Sequence, residues 1–155
     1  MNNTKSLFSI AHDHFHGLML AQMIKKGSQT SEGMPDTLEG KARYTIHFFE
    51  QELENHFYIE EHVLQPVVTG ISKELDMIFT ELIDEHNELR KMIEHLRNGK
   101  NLEEKLDRFG SMLEDHIKNE ERNFFPKIQE ALSEDELEKL SQKLHNNGYE
   151  LIYKY

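Results

Sequence analysis

Two stretches of this chain repeat one another: Asn55-His56-Phe57-Tyr58-Ile59-Glu60-Glu61-His62-Val63-Leu64-Gln65-Pro66 and Asp115-His116-Ile117-Lys118-Asn119-Glu120-Glu121-Arg122-Asn123-Phe124-Phe125-Pro126. Each reads [Asn/Asp]-His-x-x-x-Glu-Glu-x-x-[Leu/Phe]-x-Pro. On a helix, side chains four apart share a face with Cβ atoms about 5–6 Å apart. A His and a Glu at that spacing can bind one metal, the imidazole as terminal ligand and the carboxylate as terminal or bridging ligand. Two copies of the pattern imply two metals.

Long helices must carry these pairs, because apolar spacing of three and four dominates the chain and nothing alternates as a strand does. The spacing predicts a helix from about Ser6 to Lys26, then a loop over 27–35. Asp36, with Glu39 three residues on, reads as the N-cap of a long helix to about Leu64, which Pro66 and Gly70 end or kink. A third helix runs from about Ser72 to Arg97, and Asn98-Gly99 makes the next turn. The fourth opens at Asn101 with Glu104 as partner, and Ser133 with Glu136 forms a capping box for a short helix to about Leu144. The apolar tail Gly148–Tyr155 is expected to pack on the bundle or on a second subunit, which makes a homodimer one expectation. Short loops between long helices predict an all-α, up-down-up-down four-helix bundle with a short C-terminal helix. We read one domain over residues 1–155, its core bundle at about 6–130 and the C-terminal helix and tail at 133–155.

The repeat reaches past the two strings. Asp13-His14 and Glu85-His86 stand in the same relation to the motif that follows each of them, so the chain reads as two helix pairs, each giving His, His and Glu. At about 100° per residue, His14 lies within about 60° of Leu7, Ile10, Leu18 and Ala21 and points inward. His12, His16, His47, His62 and His95 fall on far faces and should be solvated. The inward set is His14, His56, Glu60, His86, His116 and Glu120, while Glu61 and Glu121 lie about 100° further round and face away. Two inward carboxylates without partners would cost several kcal/mol each, so a bundle built this way needs cations in its interior. No Lys or Arg occupies these stripes near the motifs, and a metal supplies the charge.

Composition agrees. The 155 residues are 37% hydrophobic and 30% charged, with a net charge of −11, which argues against nucleic acid or an anionic membrane surface as partner. No cysteine is present, so any metal sits on imidazole and carboxylate rather than thiolate. Neither a secretory signal nor a transmembrane run is recognisable, and a soluble cytoplasmic protein is expected. Six converging ligands exceed the four of a tetrahedral structural zinc. If both Glu bridge, the set fills about eight of about twelve positions on two octahedral ions. An oxo or hydroxo bridge would take about two more, leaving about two for solvent or a small ligand. Open positions favour redox-active iron, with manganese and zinc as the alternatives.

The His-x-x-x-Glu pairs, with Asp13-His14 and Glu85-His86 on the alternate helices, resemble the hemerythrin-like family, specifically its bacterial His-His-Glu cation-binding branch. The string His12-Asp13-His14-Phe15-His16-Gly17-Leu18-Met19-Leu20-Ala21 is similar to that branch's opening helix. The resemblance implies a bundle around a carboxylate-bridged non-haem di-iron site, with His14, His56, Glu60, His86, His116 and Glu120 on the ligand positions. Oxygen-carrying hemerythrins add further ligands where this chain has Leu82, Arg90 and Glu121, so reversible oxygen carriage is not implied. The expected function is a binding module that binds or senses oxygen, nitric oxide or peroxide, or handles iron. An enzyme turning over peroxide or nitric oxide is the second reading, and a purely structural metal is the third.

Overall fold

The computed structural model describes residues 8–28 and 33–146. Among the described residues five helices follow one another: α1 (Phe8–Ile24), α2 (38–68), α3 (Lys73–Leu96), α4 (102–131) and α5 (Glu134–Asn146). No strand occurs among the described residues. Helices α1 to α4 form the bundle, with α4 packed against α1, α2 and α3. The connections at 69–72 and 97–101 are short, which makes the helices they join antiparallel. Among the described residues no helix is long and apolar enough to cross a membrane. The apolar tail lies outside the described residues.

Capping departs from the sequence reading at two ends. Thr37, not Asp36, caps α2, its hydroxyl accepting from the Gly40 amide at 3.0 Å, so the helix starts one residue later than Asp36 would set it. Asn101 precedes α4 with φ 51° and ψ 42° and makes no side-chain cap bond. Its left-handed backbone turns the side chain away from the first amides, so the expected pairing with Glu104 does not form. Ser72 caps α3 through the Leu75 amide, and Ser133 with Glu136 forms the expected capping box. Gly70, at φ 85°, supplies the left-handed residue just past α2.

Pro66 does not end α2, and α4 likewise continues past Pro126. Each proline is preceded by a π-turn, Glu60–Leu64 and Glu120–Phe124 respectively, in which the Gln65 and Phe125 amides reach back to the Glu60 and Glu120 carbonyls. Proline has no N–H and clashes with the carbonyl four residues back; widening the turn before it relieves both problems without breaking the helix. Each π-turn adds a residue and so advances the inward face by one position. Beyond Glu60, Val63 stays buried, but Leu64 and Val68 are buried more deeply, where straight-helix spacing points to Val67. In α4 the same shift buries Phe124 and Phe125 and leaves Asn123 outside.

The apolar interior falls into two clusters. One gathers Leu64, Val68, Leu75, Leu82, Phe124 and Ile128 with Leu137, Leu140 and Leu144, by which α5 closes that end of the bundle. The other gathers Leu20, Ile24, Phe49, Leu89, Ile93, Leu106 and Leu113. On α2, α3 and α4 alike the boundary between clusters falls at the buried His and Glu residues. Glycine sets how closely α1 approaches α4: a Cβ on Gly110 would stand 2.9 Å from the Ala21 carbonyl oxygen and 3.2 Å from Ile24. Backbone cannot yield as a side-chain tip can, so Gly110→Ala should destabilise the fold by about 1–3 kcal/mol despite alanine's better helix propensity. Urea unfolding of the variant checks this, and a gain in stability would show that α1 shifts freely.

Candidate metal centre

Between the two apolar clusters lie His56, Glu60, His86, His116 and Glu120, each at most 4% exposed. Helical register explains their convergence: His56 and Glu60 share one face of α2, His116 and Glu120 share one face of α4, and α3 brings His86 between them. Glu60, His86, His116 and Glu120 each offer a ligand atom within 4.8 Å of the others'. His86 Nε2 stands 3.0 Å from Glu60 Oε1, His56 Nε2 is 3.5 Å from Glu60 Oε2, and His116 Nε2 is 2.8 Å from Glu120 Oε1. The two oxygens of Glu60 thus face imidazoles from different halves of the repeat.

Both Glu60 oxygens, His86 Nε2 and His116 Nε2 are buried and make no hydrogen bond among the described residues. Buried polar atoms of a folded protein are nearly always paired, and leaving them unpaired costs free energy. Carboxylate oxygens and imidazole nitrogens aimed at one point can be satisfied together by a cation, and this donor set of nitrogen and oxygen fits a divalent metal.

The far side of each ring is fixed. His86 Nδ1 lies 2.8 Å from Glu61 Oε2, and His116 Nδ1 lies 2.6 Å from Glu85 Oε1. A carboxylate at Nδ1 keeps the proton there and leaves Nε2 to point its lone pair inward. Phe57 stacks on His86 at 4.0 Å between ring centroids and 13° between planes, and meets His116 edge-on at 5.7 Å. In the absence of metal these rings hold protons instead. Burial pushes the His116 pKa down, but the Glu120 charge and the Glu120 and Glu85 contacts outweigh it and raise it to about 10. His86 is raised as well, against its burial, by Glu60 and Glu61. Burial pushes Glu61 up, yet His86 and Arg90 bring it down to about 2.

Against the sequence reading, the structure brings five of the six inward residues together: His56, Glu60, His86, His116 and Glu120. His14 is on α1, but its side chain, like that of His12, lies outside the described residues. His16, His47, His62, His95 and Glu121 are exposed, as expected. Glu61 is the correction. Its position about 100° from the inward stripe turns it not to solvent but into the seam with α3, against His86 and Arg90. Glu85 was not among the candidate ligands either, although its place next to His86, matching Asp13 beside His14, was the signal that could have found it.

A family model described as the hemerythrin HHE cation binding domain matches residues 9–128. No curated protein and no solved structure matches the chain. The family match spans the four bundle helices and every residue of the buried His and Glu layer, and the chain belongs to the hemerythrin family, as a metal-cation-binding helical bundle.

Proposed function

We propose that the layer holds two metal ions, iron in the cell, through His14, His56, Glu60, His86, His116 and Glu120, and that the protein is a binding module for a small ligand: oxygen, nitric oxide or peroxide. The observation that carries the two-metal reading is Glu60, whose oxygens face His86 on one side and His56 on the other, as a bridging carboxylate must. When bound, iron would supply redox chemistry and coordination positions for that ligand. Everything else falls to the chain. Glu61 and Glu85 hold the imidazole protons at Nδ1, and Phe57 fixes the rings in place.

The space beside the site supports a small ligand. A cavity of about 10 Å³, room for one water-sized molecule, opens next to His56, His116 and Glu120. Its walls include Phe48, Leu53, Phe57, Leu113 and Ile117, which keep bulk water from competing. The net charge of −11 fits a cytoplasmic protein with a small ligand rather than nucleic acid or a membrane surface as partner. Metal analysis of protein purified without added metal tests the reading, with iron at about two ions per chain as the expected result. One zinc per chain and no iron would overturn it. Turnover of peroxide or nitric oxide beyond a free-iron control would show an enzyme rather than a binder.

A further inference from the structure

The two halves of the repeat are not alike outside the ligand layer. Glu61, which holds His86 Nδ1, is itself gripped by Arg90: Nη1 donates to Oε2 at 2.9 Å and Nη2 to Oε1 at 3.2 Å. The same guanidinium donates to Glu54 from Nε and Nη2, at 3.0 and 2.7 Å to Oε1, and to Asn87 from Nη1 at 2.9 Å. Its carbon lies 5.5 Å from the centre of the Phe57 ring, which stacks on His86. Arg90 therefore reaches His86 by two routes, one polar and one aromatic.

Glu85, which holds His116 Nδ1, has no such anchor. Its second oxygen receives only a long 3.4 Å contact from Asn119, and among the described residues it pairs with no lysine or arginine. The repeat itself places Leu18 where Arg90 would recur, four residues after His14 as Arg90 is four after His86. One arginine serves one half.

We propose that Arg90 is a positioning residue for the metal centre, acting through Glu61 and Phe57 on His86 and its half of the repeat, so that the two metal positions are inequivalent. The inference rests on the two-metal reading above. A carboxylate held bidentately by a guanidinium cannot swing toward solvent, so His86 keeps one ring orientation and one tautomer. Losing an outer partner of a metal-bound histidine typically weakens metal binding about 10–100-fold, and here the loss should fall on a single ion.

Cobalt(II) titration, followed by its visible absorption, reads each equivalent separately. Arg90→Met should weaken one of the two equivalents about tenfold or more and alter its absorption band, while the other changes by less than about threefold. Glu61→Ala should weaken the same equivalent, and so should Glu85→Ala, because His86 and His116 converge on one group with Glu60 and Glu120. Because Arg90 acts through Glu61, the Arg90→Met/Glu61→Ala double variant should be little weaker than Glu61→Ala alone, short of the product expected for independent sites. Unchanged binding in Arg90→Met, equal loss from both equivalents, or fully multiplicative effects would overturn the proposal. If Arg90→Met does not fold, Arg90→Lys serves: it keeps the charge but not the fork, and must still weaken the same single equivalent. Wild-type protein that takes up no cobalt would instead bring down the two-metal reading.

Discussion

In Glu60→Ala protein, metal content falls from about two ions per chain to one or fewer, whereas Glu121→Ala protein keeps the full complement. Glu60 is 2% exposed and faces nitrogens of both His56 and His86, so on the proposed two-metal reading its removal takes a ligand from each ion. Loss of affinity should exceed the roughly 10–100-fold typical of an outer partner. Glu120→Ala should follow Glu60→Ala, since Glu120 is wholly buried beside His116. Glu61→Ala should lie between, losing affinity at one ion while both inner carboxylates remain. Metal analysis after gel filtration ranks the four variants. Equal losses in Glu60→Ala and Glu121→Ala would mean that inward and outward glutamates had been confused.

That ranking shows where the sequence could be read and where it could not. Period 3.6 selects His56, His86, His116, Glu60 and Glu120 from ten histidines and many acids, because burial of a helix face is an angular property that spacing records. The same angle misjudges Glu61. It measures distance from the bundle axis, but each helix in a bundle also borders two neighbours, and a side chain a quarter-turn off the axis enters a seam. Whether it meets solvent or a partner there depends on the neighbouring helix, which for Glu61 presents His86 and Arg90. Residue spacing on one helix holds no record of that.

The prolines were legible only in part. Their place in the repeat, six residues after each inner glutamate, marks a shared backbone feature, but hydrophobic spacing cannot tell a helix end from a π-turn. Glu60 and Glu120 open the widened turns, so residues beyond them are displaced, and on α2 a further π-turn at Phe49–Leu53 shifts the buried face before His56 as well, burying Thr45 and Phe48 where straight spacing points to Ile46. The ligand set still survives a wrong helix end, while Val67 changes places with Val68.

Removing metal should cost the fold more at high pH than at low. A ligand bound only by the native state stabilises it by about 4 kcal/mol for each site at a thousandfold excess over its dissociation constant. For a chain of this length that corresponds to a melting-temperature increase of roughly 8–16 °C per site. The metal-free layer has its own compensation. Its strain is relieved by a proton on imidazole, since the His116 pKa is raised to about 10 in the fold from about 6.5 when unfolded. A folded pKa raised in this way contributes stability that is fully present below about 6.5 and lost as pH rises through about 10. Metal must displace those protons, so its net stabilisation shrinks wherever they are held tightly. The gap in melting temperature between iron-loaded and chelated protein should therefore widen from pH 6 to pH 9, chiefly because the chelated protein weakens. A gap that narrows over that range would show that protons do not occupy the layer in place of metal. No gap at either pH would leave these histidines as core residues neutralised by their neighbouring carboxylates alone.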